Sequence, residues 1–218
     1  GKTSRRTCGV CHFFGGGGDH IKHGDLDSSL TSPKKDMDVH MAVEGRNMTC
    51  TACHKTEKHV IAGKALSVSP SAGRQTLNCD NCHTATPHKG NTLLDRHYQK
   101  VACQTCHIPT FARTLPTKVW WDWSTAGSNK PVQKDQYGQN LYDRMKGDFT
   151  WAKDIVPTYM WFNGTLDRVL MGDKIDPGKV VHLNYPKGTR GDANAKITPF
   201  KVIKGKQPYD SGNNILAV

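Results

Sequence analysis

The sequence has little with which to build an ordinary core. Only 36% of its 218 residues are hydrophobic, the mean hydropathy is −0.62, and 21 glycines and 11 prolines interrupt the chain. Apolar side chains alone would bury too little surface to offset chain entropy. No apolar run approaches the length of a membrane-spanning helix, so no transmembrane segment is expected. No leader-like apolar stretch precedes Gly1, and the opening GKTSRRTCG reads as a mature or trimmed start. Equal repeats are missing too, and with them a solenoid. The basic excess of 30 Lys+Arg over 19 Asp+Glu is divided about equally between the two halves, which argues against nucleic acid as a partner. It suits a protein carrying anionic groups that the sequence does not itself encode. Beyond residue 110 there is no cysteine and a single histidine, His182.

What is present is concentrated accordingly. Residues 1–116 hold all eight cysteines and ten of the eleven histidines, whereas residues 117–218 hold all five tryptophans and five of the six tyrosines. We read a ligand-rich region over 1–116 and an aromatic, Gly/Pro-rich region over 117–218 that packs on it as part of one structural unit. Hydrophobic periodicity is weak in both. Short helices are predicted over about 34–43, over about 91–99 with Asn91 or Thr92 as N-cap, and around each cysteine pair. Turn signals at Asp176-Pro177-Gly178, Tyr185-Pro186-Lys187-Gly188 and Gln207-Pro208 predict short strands and loops in the second region.

Every cysteine belongs to one motif. The pairs Cys8/Cys11, Cys50/Cys53, Cys79/Cys82 and Cys103/Cys106 share the same gap, and each is followed at once by histidine: His12, His54, His83 and His107. CxxCH is the attachment signature of c-type haem. Two thiols one helical turn apart each reach a vinyl group, and the adjacent imidazole comes under the iron as proximal ligand. CxxC pairs also build zinc sites, and eight cysteines could form four disulfides. Neither alternative accounts for a histidine after all four pairs. Four covalent haems are therefore expected, and with them a fold that is mostly irregular, with short α-helices and few strands, organised around macrocycles.

Seven further histidines remain. The ordinary reading of any one is a solvated surface residue, but in a chain with four irons His23, His40, His59, His88 and His97 are the candidates for distal ligands. His20 has a stronger neighbour in His23, and His182 lies far from the cysteine pairs. The run Gly15 to Gly18 lets the chain turn sharply beside a flat macrocycle before offering His23; a flexible surface loop is the plainer alternative. Trp120, Trp121 and Trp123 are expected to pack, covering haem edges, with electron relay or docking as the other reading. Asp122, Arg144, Lys153, Arg168 and Lys174 could pair with propionates or anions, although each alone reads as a solvated charge.

The segments CHFFGGGGDHIKHGDLDSS, DVHM, HVIAG, TPHKG, KVACQTCHIPTFAR, PTKVWWDWSTAG, KITPFKV and GKQPYD together resemble the octahaem tetrathionate reductase-like cytochromes. The resemblance runs through nearly the whole chain and aligns with the middle of that family. Members carry further haem motifs on both sides, among them a catalytic CxxCK that this chain does not contain. Four haem motifs with enough imidazole to make every iron six-coordinate point to electron transfer through bis-histidine, low-spin haems, and the resemblance places His23, His40, His59, His88 and His97 in matching motifs. Two accounts stay open: a tetrahaem electron carrier, or the haem-relay segment of an octahaem reductase of tetrathionate or nitrogen oxyanions. Surplus imidazole also permits a homo-oligomer or filament in which subunits share ligation. Redox proteins are the expected partners. Haem attachment of this kind takes place outside the cytoplasm, so a periplasmic or cell-surface location is expected.

Overall fold

Ser4 begins the first helix by accepting a hydrogen bond from the Thr7 N–H at 3.2 Å, and α1 runs over Arg5–His12. The computed structural model describes residues 3–58, 60–63 and 77–217. Three more helices follow: α2 (Cys50–Cys53), α3 (Thr92–His97) and α4 (Cys103–His107). A 3-10 turn over Cys79–Asn81 carries the third cysteine pair, capped by reciprocal bonds between Asn78 and Asn81. Asn91 caps α3 through a 3.1 Å bond from the Leu94 N–H, as its position in the sequence predicts. The helix expected over 34–43 is instead a run of turns. There the Asp38 carboxylate accepts from the His40 and Met41 N–H groups at 2.8 and 2.9 Å, offering the backbone a local alternative to helix.

The strands are short. Early in the chain β1 (Thr56–Glu57) pairs with β2 (Val60–Ile61); the others lie beyond residue 116. They are β3 (Thr117–Asp122), β4 (Tyr142–Asp143), β5 (Gly147–Ala152), β6 (Thr158–Phe162), β7 (Leu166–Arg168), β8 (Asn184–Pro186), β9 (Lys196–Phe200), β10 (Lys204–Lys206), β11 (Tyr209–Asp210) and β12 (Ile215–Leu216). One sheet has four strands in the order β10-β3-β5-β4, with β10 parallel to β3 and the other pairs antiparallel. β6 pairs with β9, β7 with β8 and β11 with β12, all antiparallel. Gly147 opens β5 at φ +86°, and a Cβ there would collide with the Asp122 carbonyl, so only glycine lets the β3 and β5 ends close.

The polypeptide buries little of itself. Its accessible surface is 14872 Å², where a compact monomer of this mass exposes about 10,000 Å². Phe13, Leu30 and Met37, with Met41 against them, form one small cluster, while Tyr142 and Phe149 are buried in the second region. Large apolar side chains stay exposed next to the cysteine motifs and candidate histidines: Val10 within the first pair, Phe14 beyond His12, Val39 before His40, and Leu93 and Leu94 on α3.

The two regions are stitched together by named contacts. Ile197 of β9 donates its N–H to the Lys100 carbonyl at 2.8 Å, and its own carbonyl accepts from the Ala102 N–H at 2.9 Å and Thr105 Oγ1 at 2.8 Å. The aromatic region thereby seats α4. Phe111 bridges Ile155, and the Lys201 ammonium reaches the carbonyls of Ile21 and Lys22 at 2.9 and 3.2 Å and also donates to Thr117 Oγ1.

Candidate haem-binding site

Each cysteine pair lies on one turn of helix, which brings two thiols and the following imidazole to neighbouring positions. The first and fourth motifs sit wholly within α1 and α4. In the second and third the histidine N–H closes back on the first cysteine's carbonyl, His54 to Cys50 at 2.9 Å and His83 to Cys79 at 2.8 Å; the Cys82 N–H reaches the same Cys79 carbonyl at 3.2 Å. All eight thiols are free, so the fold does not join them as disulfides. Among the described residues no three His, Cys, Asp or Glu side chains converge as a zinc site would need.

The structure does not treat the eight attachment candidates alike. Cys8, Cys50 and Cys103 are half-buried, whereas Cys11, Cys53, Cys79, Cys82 and Cys106 are exposed. Cys11, Cys53, Cys79, Cys82 and Cys106 are therefore not enclosed by the polypeptide. The reason is the small core: all four motifs end their helical turns at the surface, with few buried apolar side chains to cover them. Exposure also leaves these thiols open to reaction. The motifs come together in twos through their first cysteines. Cys50 touches Cys8, and Cys79 touches Cys103; burial first, then the neighbouring sulfur, pushes the Cys50 and Cys79 thiols up.

The imidazoles repeat this pairing. The rings of His40 and His83 lie with centroids 6.1 Å apart at 71°, and those of His88 and His107 6.2 Å apart and nearly parallel, at 10°. Two imidazoles bound on opposite sides of one metal, each with a bond of about 2 Å, hold their ring centres about 6 Å apart. Both separations are of that order, which is the spacing a shared metal would ask of the two rings. His23 lies near the first motif: a Cβ on Gly15 would come within 3.2 Å of its Nε2, and Gly16 and Gly17 turn the chain at φ +93° and +97°. Burial, then the charges of Lys22, Lys201 and His12, keep His23 below the ordinary imidazole range, in the neutral form a metal takes. His54 donates Nδ1–H to the Ala62 carbonyl at 2.8 Å, which leaves Nε2 for a metal.

The remaining histidines divide. His97 ends α3, exposed and with no ring against it among the described residues. His59 lies outside the described residues. His20 is occupied otherwise, bonding the Pro116 carbonyl and packing on Trp151 at 5.4 Å, while His182 packs on Tyr185 at 4.8 Å. Two acidic residues near the histidines escape a reading of motifs alone. Asp95 Oδ1 lies 3.3 Å from His88 Nδ1, and Asp38 Oδ1 lies 3.7 Å from His40 Nδ1. The signal available was an acid two residues before one histidine and seven after another, which carries no weight until the turns are known.

The tryptophans pack. Trp121 stacks on Trp123 at 4.6 Å and meets Phe149 edge-on, and its Nε1–H donates to the Lys146 carbonyl at 2.7 Å. Between the rings of Trp121, Phe149 and Trp151 sits the ammonium of Lys118, 4.0, 3.4 and 5.1 Å from their centroids. Burial pushes Lys118 down to about 8; burial and then the like charge of Lys118 push Lys201 down to about 7. Of the charges considered for anions, Asp122 is taken up by Ser124 and Lys206, and Lys174 by the Asn213 carbonyl.

Comparison with known proteins agrees with this chemistry. The family model for bacterial cytochrome c matches residues 118–218, the region that contains no cysteine. The octahaem cytochrome c from Shewanella oneidensis is 51% identical, with a TM-score of 0.90, over 99% of this chain and 48% of that one. An uncharacterized protein of Archaeoglobus fulgidus is 36% identical over 60 residues, 27% of this chain and 19% of its own length. This chain thus spans less than half the length of the relatives it matches. Four CxxCH turns, and a structural match that takes in 99% of this chain and 48% of an octahaem cytochrome c, lead to one assignment: the chain belongs to the multihaem c-type cytochromes.

Proposed function

We propose that this chain conducts electrons through four c-type haems, held by Cys8/Cys11, Cys50/Cys53, Cys79/Cys82 and Cys103/Cys106, with His12, His54, His83 and His107 as proximal ligands. The observation that carries the reading is the spacing of His40 from His83 and of His88 from His107, 6.1 and 6.2 Å, each a candidate distal ligand facing a proximal one. His23 is the partner proposed for His12. For His54 the sixth ligand comes from His59, His97 or a neighbouring copy of the chain, which is how ligation shared along a filament would arise. Haem iron held by two of these imidazoles would supply one-electron chemistry and leave no position for a substrate. The chain's own part is to attach, orient and shield: helical turns fix the thiols, Nδ1 partners fix the rings, and the aromatic region covers what the small core leaves open. Such attachment implies a periplasmic or cell-surface location.

A second reading is supported by one figure, the 48% of the octahaem chain that this one covers: the same unit would then be the haem relay of a longer reductase. Intact mass, optical and EPR spectra test the main reading. Four haem increments and low-spin iron throughout are expected. His40→Ala and His88→Ala should each convert one centre of the four to a high-spin, CO-binding form. A mass without haem, or variants that leave every centre low-spin, would overturn it.

A further inference from the structure

One oxygen holds His88 twice. Asp95 Oδ1 accepts from the His88 backbone N–H at 3.1 Å and from its Nδ1–H at 3.3 Å. The local chain makes this possible. Gly90 at φ +81° and a 2.8 Å bond from the Asn91 N–H to the His88 carbonyl fold residues 88–91 into a turn, and Asn91 then caps α3. Asp95, in the first turn of α3, reaches back across that turn. Its side chain is 16% exposed, so its charge acts with little screening, and the His88 ring lies 6.2 Å from that of His107, centroid to centroid.

Two other candidate imidazoles have weaker Nδ1 partners. Asp38 takes the His40 backbone N–H at 2.8 Å but stands 3.7 Å from Nδ1, beyond hydrogen-bond reach, and the His40 side chain is 52% exposed. His54 has a neutral peptide carbonyl. The series runs from a carboxylate in bonding contact, through a carboxylate at ion-pair distance, to an uncharged acceptor. A partner on the outer nitrogen fixes ring orientation and raises ligand basicity, and loss of such partners typically costs 10–100-fold in metal affinity or activity.

We propose that Asp95 is a positioning residue for the His88/His107 centre: it locks the His88 ring toward His107 and, by its negative charge on Nδ1–H, stabilises the ferric over the ferrous state at that one centre. The proposal rests on the reading of His88 and His107 as an axial pair. The step it governs is a one-electron reduction of that iron by a redox partner, with no bond made or broken. Asp38 exerts the same influence on His40 more weakly, as its longer distance requires.

The test is a redox titration of the holoprotein followed by optical and EPR spectra, with wild type, Asp95→Ala, Asp95→Asn, Asp38→Ala and His88→Ala. Asp95→Ala should keep four haems and raise the reduced-to-oxidised ratio of one centre about tenfold at fixed potential, a midpoint shift of about 59 mV, with three centres unmoved. Asp95→Asn, which keeps an acceptor without the charge, should give a smaller shift in the same direction, and it carries the test if Asp95→Ala loses haem. Asp38→Ala should move a different centre, and less. Unchanged midpoints in both Asp95 variants, with His88→Ala producing one high-spin, CO-binding centre, would overturn the proposal and leave the ligand reading intact. A His88→Ala protein with four low-spin centres would overturn the ligand reading and the proposal with it.

Discussion

Among single residues Lys118 is the least at ease. It is 2% exposed, its ammonium faces three aromatic rings, and among the described residues no oxygen bonds it. Cation–π attraction of about 2 kcal/mol for a desolvated site works for the charged form. Burial works against it and wins, since the folded-state value falls from 10.5 to about 8, with Lys146 adding to the fall and Asp143 opposing it. The unfolded chain binds this proton up to about pH 10.5 and the folded one only to about 8, so stability rises with pH through that window, and the cost of the buried charge is complete below about pH 8. The span is worth about 3 kcal/mol. Lys118→Met, which fills the same slot without charge, is therefore expected to be more stable than wild type at pH 7 and equal to it above pH 10.5, as denaturant midpoints of the holoprotein at a series of pH values would show. The tryptophan cluster was legible in VWWDW, but its lysine was not. A bulge at Val119 between Lys118 and Trp120 breaks the alternation of β3, so Lys118 shares a face with Trp121 where strict period two would pair it with Trp120.

At the scale of elements, the helical turns that carry chemistry were legible because the cysteine spacing itself is one turn, and α3 because Asn91 announces it. The segment before His40 was not, since Asp38 spends its carboxylate on the backbone and the turn it makes has no hydrophobic period. What fixes that segment is Arg5, three residues before Cys8 in α1. Its buried guanidinium donates to the Met48 carbonyl from Nε at 3.2 Å and from Nη2 at 2.9 Å, to Thr31 from Nη1 at 3.3 Å, to Asn47 Oδ1 at 3.1 Å, and to the Met41 carbonyl. The loop that follows His40 is thereby strapped to the helix of the first cysteine pair. A lysine has three hydrogens on one nitrogen and cannot span these acceptors. Arg5→Lys should destabilise the holoprotein by about 2–4 kcal/mol, read from its denaturant midpoint, and broaden the EPR signal of the His40/His83 centre before any other.

For the whole molecule, the motifs tell what the interior is made of, and the sparse core of Phe13, Leu30 and Met37 agrees that the polypeptide does not fill it. How the cysteine-free region takes part could not be read from composition, because its role lies in long-range bonds. Ile197 seats α4, and Lys201 with Thr117 holds the loop that presents His23. Thr117 is fully buried, donates to the Ile21 carbonyl at 3.0 Å and accepts from Lys201, so one ammonium and one hydroxyl tie a strand of the aromatic region to the chain two residues before His23. Removing the ammonium takes one donor from each of the Ile21 and Lys22 carbonyls; Thr117 still holds the first and water reaches the second, so the cost is about 1 kcal/mol, concentrated on that loop. Lys201→Met should therefore leave haem content unchanged while one centre gains a high-spin, CO-binding fraction that grows with temperature. Thr117→Val should do the same to a smaller degree, since Lys201 keeps its own bonds to both carbonyls. Variants whose centres all stay low-spin up to global unfolding would show that the His23 loop holds its place without the aromatic region, and that the link between the two halves is packing alone.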